Sequence, residues 1–217
     1  MASKNRGQRI GIWIIAIVMA VGTIGSFVII ILANNNSKID SDRKATLTAE
    51  YQQQVTDYQA KVAAQGIELS SQYFGEFSPY SSRVAAFDKD GVTELKTEDL
   101  KVGDGEEITA TSSFTAYYIG WNPSGVVFDQ SIDGDALKAP FAAKPGGVIT
   151  GWTEGVVGMK VGGIRELTIP SDLAYGATGS GESIPANTPL KFVIMIIPTP
   201  AAITQPQPSD ELIKLYS

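Results

Sequence analysis

Few side chains of this 217-residue chain could take part in chemistry, because the sequence contains no histidine and no cysteine. This composition excludes Ser-His and Cys-His nucleophile systems, disulfides, and metal sites built from imidazole or thiolate. The remaining candidates include Tyr175, between Ala174 and Gly176, and Trp152, beside Gly151. A tyrosine on a glycine-flanked loop indicates an exposed hydrogen-bond donor. A tryptophan beside a glycine is equally typical of a plain core.

Several short motifs follow one another in a fixed order between residues 84 and 198. Residues 145–192 contain PGGVITGW, GMKVGG, an Ala-Tyr-Gly triplet and an Ile-Pro before a strand. They are preceded by KVGDG at 101–105, YIG at 118–120 and FDQS at 128–131. This order and spacing resemble an FKBP-type peptidyl-prolyl cis–trans isomerase domain. The resemblance implies an α+β fold, in which a half-open antiparallel sheet of five or six strands wraps around one short helix.

The resemblance also implies a site for proline-containing polypeptides. Its catalytic residues would be Tyr118, Asp129, Trp152 and Tyr175, and its substrate-binding residues Phe128, Phe141, Val148, Ile149, Ile184 and Phe192. Trp152 would form the floor of an aromatic pocket. The Ile149 N–H and the Tyr175 hydroxyl would bind substrate carbonyls, and Asp129, held by Tyr118, would lie near the amide.

The segment 132–144 matches the family poorly, so Leu137, Ala139 and Phe141 compete for one place in the pocket, and we favour Phe141. Taken singly, several of these residues have plainer interpretations. Phe128, Phe192 and Val148 fit any hydrophobic core, and Asp129 fits a turn.

The chemistry of such an enzyme requires little from its side chains. Rotation about an X-Pro amide passes through a twisted state that has lost its resonance, over a barrier of about 18–20 kcal/mol. A dry pocket that binds the twisted amide better than the planar one lowers this barrier. No nucleophile, metal or cofactor is needed, so we expect none.

Some positions depart from the family pattern. Ser180 stands where the family often has histidine, Ser183 replaces an apolar residue, and Ala186 replaces a second proline. The sequence also offers no arginine in the poorly matching segment to pair with Asp129. The resemblance implies binding of macrolide inhibitors, and these departures predict that it is weak.

The N-terminal region predicts a membrane anchor. Residues Ile10 to Ala33 form an uncharged run of 24 residues, about 36 Å long as a helix. The hydrocarbon core of a bilayer is about 30 Å thick, whereas a signal peptide has a shorter apolar region. Lys4, Arg6 and Arg9 precede the run, so the tail 1–9 is predicted to be cytoplasmic and the isomerase domain extracytoplasmic.

The charge of the remaining chain excludes one class of partner. Residues 1–33 hold three basic and no acidic side chains, so residues 34–217 carry 14 basic and 23 acidic ones. An acidic ectodomain of this kind is a poor ligand for nucleic acid. Proline-containing polypeptides and the membrane are therefore the expected partners.

Residues 34–83 are predicted to form a stalk helix and a linker. Leu47, Tyr51, Val55, Tyr58 and Val62 recur with helical spacing over 41–65, and Gly66 is a plausible stop. The stripe fits a helix lying against its own domain, or a short coiled coil that forms a weak dimer.

The isomerase domain is placed at 84–200 and a proline-rich tail at 201–217. Within the domain, Thr109 to Tyr118 is predicted to be a strand whose even-numbered residues share one face. The leading function is a membrane-anchored peptidyl-prolyl isomerase that assists the folding of exported proteins. The alternative is a non-catalytic FKBP-like chaperone or scaffold module, whose working surface would be the stalk and the linker.

Overall fold

A computed structural model of the protein describes residues 38–216, so the predicted membrane segment 10–33 lies outside the described residues. Among the helices it does describe, none has the length and apolar composition needed to cross a bilayer. The described chain divides into two compact units, residues 38–65 with 202–216, and residues 66–201.

Three α-helices, two 3₁₀ helices and eight strands make up the described chain. The helices are α1 (Lys38–Phe77), α2 (Thr150–Gly155) and α3 (Asp210–Lys214), with 3₁₀ helices at Ser78–Arg83 and Ser171–Leu173. The strands are β1 (Lys96–Lys101), β2 (Phe114–Trp121), β3 (Val127–Gln130), β4 (Ile132–Asp133), β5 (Ala136–Leu137), β6 (Phe141–Ala143), β7 (Ile164–Ile169) and β8 (Leu190–Ile197).

Six of these strands form one antiparallel sheet in the order β1-β7-β8-β2-β3, with β6 also paired to β2. β3 pairs with the end of β2 and β6 with its start, so they share one edge of the strand. β4 and β5 form a separate two-stranded sheet. The structure therefore agrees with the predicted antiparallel sheet and its one short helix, which is α2.

Both faces of the sheet are covered, and β2 starts later than predicted, although its even-numbered residues share one face as expected. The strand begins at Phe114 rather than at Thr109, because residues 109–113 form a turn instead. Phe114 and Ala116 lie in the apolar cluster on the α2 side, whereas Tyr117 and Ile119 lie in a second cluster on the other side. A strand buried on both faces carries apolar residues on each of them.

The second cluster is completed by the C-terminal part of α1, which corrects the predicted end of the stalk helix. Gly66 does not stop the helix, which continues to Phe77. A side chain at Gly66 would meet nothing within 4 Å, and its φ is not in the left-handed region. Phe77, fully buried, and Tyr73 pack in the cluster with Tyr117. The segment beyond Gly66 is thus helical where it covers the sheet.

In the other unit, the C-terminal tail packs along the first part of α1. Arg43 donates two hydrogen bonds of 2.8 Å to Glu211, and the Thr48 and Tyr216 hydroxyls lie 2.9 Å apart. The Lys44 ammonium lies 3.9 Å from the centroid of the Tyr216 ring. Helix α3 is capped by the Ser209 hydroxyl, which accepts from the Leu212 N–H at 3.1 Å.

The tail runs antiparallel to the helix. Residues 202–206 lie beside 54–61, where they line a groove of about 490 Å³, and residues 211–216 lie beside 43–48. Leu47 and Leu212 are both buried. The tail therefore lies along part of the apolar stripe, Leu47 to Val62, that could otherwise form a coiled coil.

Candidate active site

An aromatic box surrounds Trp152 on the α2 side of the sheet. The centroid of the Trp152 ring system lies 5.3 Å from Tyr118, 5.3 Å from Phe192 and 5.9 Å from Phe141, each edge to face. Phe128 continues the wall, at 5.5 Å from Phe192. Trp152 is only 4% exposed, while Phe141 is 37% exposed. The arrangement is a box with a buried floor and a side open to solvent.

The floor of the box is the indole of Trp152. Its Nε1 is buried and has no hydrogen-bond partner within residues 38–216, so the floor carries one unpaired donor. Phe114 stacks on the indole at 6.4 Å with an interplanar angle of 26°. The sequence reasoning placed Phe114 on the same strand face as Tyr118 but did not assign it to the site. Its spacing of four residues from Tyr118 was the signal that could have found it.

Helix α2 positions Trp152, and residues just before the helix form the rim. The Ile149 carbonyl accepts from the N–H groups of Trp152 at 3.0 Å and Thr153 at 3.2 Å, which starts the helix. Its own N–H donates to no acceptor in the described chain. Val148 and Ile149 are half-buried against the same cluster as Trp152. A free N–H at the rim of an apolar box can donate to a substrate carbonyl.

The polar end of the box is formed by Tyr118 and Asp129. The Tyr118 hydroxyl donates to the Asp129 carboxylate, which also accepts from the Gln130 N–H at 2.8 Å. Burial, and then the hydrogen bond with Asp129, raise the pKa of the Tyr118 phenol well above its usual range. Within residues 38–216, no lysine or arginine forms a salt bridge with Asp129. The carboxylate is held by a neutral donor and is exposed to solvent.

Tyr175 and Ile184 belong to a loop that backbone hydrogen bonds fix. The Ser180 N–H donates to the Ile184 carbonyl at 2.7 Å, and the Gly179 N–H to the Tyr175 carbonyl at 3.1 Å. Gly179 has a φ of +69°, and a Cβ there would lie 2.4 Å from the Ile184 carbonyl oxygen, so only glycine fits.

Ile184 is buried, whereas the Tyr175 side chain is 39% exposed. The charge of Tyr175, when ionised, adds to the raised pKa of the Tyr118 phenol. A side-chain N–H of Asn122 donates to the Ser183 carbonyl at 2.9 Å and ties this loop to the end of β2.

The structure thus brings the sequence-predicted residues together on the α2 face of the sheet, with Tyr175 on the loop that also carries Ile184. Phe141 reaches the box through β6, whereas Leu137 packs in the second cluster on the opposite face and Ala139 lies outside both clusters. The described chain contains no group of His, Cys, Asp or Glu side chains suited to a metal ion. What the box offers is an apolar enclosure for a ring, with hydrogen-bond donors and one carboxylate at its border.

Comparison with known proteins gives the class that this fold and site define. The family model described as FKBP-type peptidyl-prolyl cis-trans isomerase matches residues 104–197. An FK506-binding protein of Neisseria meningitidis serogroup A is 42% identical over 105 residues, which cover 48% of this chain and 94% of that protein. A probable FK506-binding protein of Corynebacterium glutamicum is 41% identical over 106 residues, or 48% of this chain and 86% of that protein.

Among solved structures, a peptidyl-prolyl cis-trans isomerase from Pseudomonas syringae pv. tomato has 30% sequence identity and a TM-score of 0.43. That similarity covers 59% of this chain and 93% of the other. On the similarity of its sequence to the Neisseria protein, the chain belongs to the FKBP-type peptidyl-prolyl cis–trans isomerase family. It is an enzyme that catalyses the cis–trans isomerisation of X-Pro bonds.

Proposed function

We propose that the isomerase acts on proline-containing segments of exported proteins at the outer face of a membrane, and that the aromatic box is its active site. The observation that carries the site is the set of rings packed edge to face around Trp152, beside the free Ile149 N–H. The box can take a proline ring into an apolar enclosure while the peptide on either side stays in solvent.

Each residue then has a role that follows from its place. Trp152 is the floor, and the rings of Tyr118, Phe128, Phe141 and Phe192 are the walls, with Val148 at the rim and Ile184 closing the loop side. The Ile149 N–H and the exposed Tyr175 hydroxyl donate to carbonyls that flank the proline. Asp129 lies at the amide, oriented by Tyr118.

The physical basis of catalysis is the loss of polarity in the twisted amide. Twisting removes the resonance of the C–N bond, so the amide becomes less polar than in its planar form. Transfer from water into an apolar box therefore costs the twisted form less than the planar form. A site that binds the transition state better than the ground state lowers the barrier without any covalent step.

The site is tested by measuring the cis–trans isomerisation of X-Pro peptides, catalysed by the full chain in detergent micelles. Trp152→Leu should lower kcat/KM by roughly tenfold or more, because it removes the floor. Tyr175→Phe should lower it several-fold, on the order of one hydrogen bond. The matched controls are Trp121→Leu and Tyr80→Phe in the second cluster, which should leave kcat/KM per folded molecule unchanged. Equal losses in site and control variants would place the active site elsewhere.

The membrane location rests on the sequence. The run Ile10 to Ala33 is long enough to span, and Lys4, Arg6 and Arg9 precede it. The test is protease treatment of sealed membrane vesicles of known orientation, in which the isomerase domain should be digested from the outer face while the membrane stays intact. Protection of the domain until the membrane is lysed would overturn this location.

We further propose that the box binds macrolide inhibitors, because the relatives are named for binding FK506. The departures at Ser180, Ser183 and Ala186 predict weak binding. Inhibition of peptide isomerisation by FK506 measures this binding. The combined changes Ser180→His, Ser183→Ile and Ala186→Pro return these positions to the family pattern and should lower the inhibition constant. No inhibition by either form would contradict the proposal.

A further inference from the structure

Helix α2 packs on β7 through two of its glycines, which lie against alternate side chains of the strand. A Cβ added to Gly151 would lie 2.3 Å from Cγ2 of Ile169, and one added to Gly155 would lie 2.7 Å from Cδ1 of Leu167. The two glycines therefore let the helix backbone contact these two side chains directly. Ile169 and Leu167 point to the α2 side of the sheet, since side chains of a strand alternate between faces.

Arg165 is the next residue of β7 on that face, and its side chain reaches the end of the helix. Its Nη1 donates to the carbonyls of Gly155 at 2.9 Å and Val157 at 3.0 Å. Its Nε and Nη2 donate to the Asp99 carboxylate of β1 at 2.6 and 3.1 Å. Arg165 is 8% exposed. One guanidinium thus joins the helix end to a neighbouring strand.

These bonds fall where a short helix needs them. The last carbonyls of any helix lack partners within it, and α2 has only six residues. A helix of that length is unstable without contacts to the rest of the protein. A cation at its C-terminus also interacts favourably with the helix dipole. The planar guanidinium of Arg165 makes four hydrogen bonds, whereas a lysine ammonium has only three donors and no planar fork.

We propose that Arg165 is a positioning residue for the isomerase, which fixes the height of α2 above the sheet and with it the place of the Trp152 indole. The inference rests on the proposed site, in which Trp152 is the floor. Arg165 does not touch the aromatic box and acts only through the helix. Its effect is therefore on the geometry of the floor, beyond any contribution to global stability.

The test uses the full chain labelled with 5-fluorotryptophan, in detergent micelles. The chain has three tryptophans, Trp13, Trp121 and Trp152, which give three fluorine signals that Trp→Phe variants assign. Arg165→Met should shift or broaden the Trp152 signal and leave the Trp121 signal unchanged. In the same samples, kcat/KM for an X-Pro peptide should fall by roughly tenfold, since displacement of a binding group by about 1 Å can cost up to about 100-fold.

Arg83→Met is the matched control. Arg83 is also part-buried and pairs with carboxylates of β1 and β7, at 2.7 Å from Glu98 and 2.7 Å from Glu166, but it contacts no carbonyl of α2. It should lower stability without moving the Trp152 signal or changing kcat/KM per folded molecule. If both variants affect Trp152 and kcat/KM alike, general destabilisation explains the result and the proposal is overturned.

Arg165→Lys keeps the test decisive if Arg165→Met fails to fold. The ammonium keeps the charge but loses the fork, so the Trp152 signal should again shift and kcat/KM should fall. A folded Arg165 variant with an unchanged Trp152 signal overturns the proposal. If the wild-type enzyme had no isomerase activity, the proposed function would fail while the fluorine spectra would still decide the role of Arg165.

Discussion

A methyl group added to Gly120 should damage the aromatic box directly. Gly120 lies in β2 opposite Phe192 of β8, on the face of the site. The added Cβ would lie 2.6 Å from Cε1 of Phe192 and 2.7 Å from Cζ of Phe128. Ordinary contact begins at 3.4 Å, so the two rings must retreat by about 0.8 and 0.7 Å. Phe192 is held by Trp152 at 5.3 Å and Phe128 by Phe192 at 5.5 Å, so neither ring moves alone.

The size of the effect follows from this displacement. Overpacking of a filled core costs about 1–3 kcal/mol of unfolding free energy. A misplacement approaching 1 Å at a site that acts by positioning can lower activity by up to about 100-fold. We therefore expect Gly120→Ala to lose about 1–3 kcal/mol of stability and on the order of tenfold in kcat/KM for X-Pro peptides.

Urea unfolding measures the loss of stability, and the cis–trans isomerisation of X-Pro peptides measures the loss of kcat/KM, on the same preparations. The control is Gly75→Ala in α1, where an added Cβ would meet nothing within 4 Å. It should gain about 0.5–1 kcal/mol, because alanine favours the helix over glycine, with kcat/KM unchanged. In a double-mutant cycle, Phe128→Leu should relieve part of the stability loss of Gly120→Ala. A folded Gly120→Ala enzyme with wild-type kcat/KM would refute this account of the box.

Three further predictions follow from the second apolar cluster and from the tail. Burial raises the pKa of the Tyr117 phenol to about 12, so the stability due to the neutral phenol is lost as the pH rises from about 10 to about 12. Tyr117→Phe should flatten that alkaline loss in urea unfolding, and an unchanged slope would contradict it. Ser70→Ala should cost about 1–3 kcal/mol of unfolding free energy, because the buried Leu137 N–H donates to its hydroxyl at 2.8 Å; no loss would mean that the N–H finds another acceptor. Deletion of residues 202–217 should increase self-association in sedimentation, as should Leu212→Asp, because either change uncovers the apolar stripe of α1; equal association in all three forms would show that the tail does not cover it.

Local sequence was informative about the class of enzyme and the chemistry it uses. The order of the motifs from Gly103 to Phe192 resembles the FKBP family, and this resemblance implies an antiparallel sheet with one short helix. The absence of histidine and cysteine excludes Ser-His and Cys-His nucleophile systems. Motifs of this kind are local, because turns, glycine positions and strand ends depend on neighbouring residues. The apolar stripe from Leu47 to Val62 likewise predicted a helix correctly, since its period is a property of consecutive turns.

Tertiary structure decided which surfaces those elements cover. The sequence predicted a helix end at Gly66, but glycine disfavours a helix by only about 1 kcal/mol, and the packing of Tyr73 and Phe77 on the sheet extends the helix to Phe77. The packing of the tail along α1, and the bonds from Arg165 to the end of α2, join residues far apart in the chain or on different elements. No local pattern records such pairings, because each side chain is compatible with many partners until the fold brings one of them within reach.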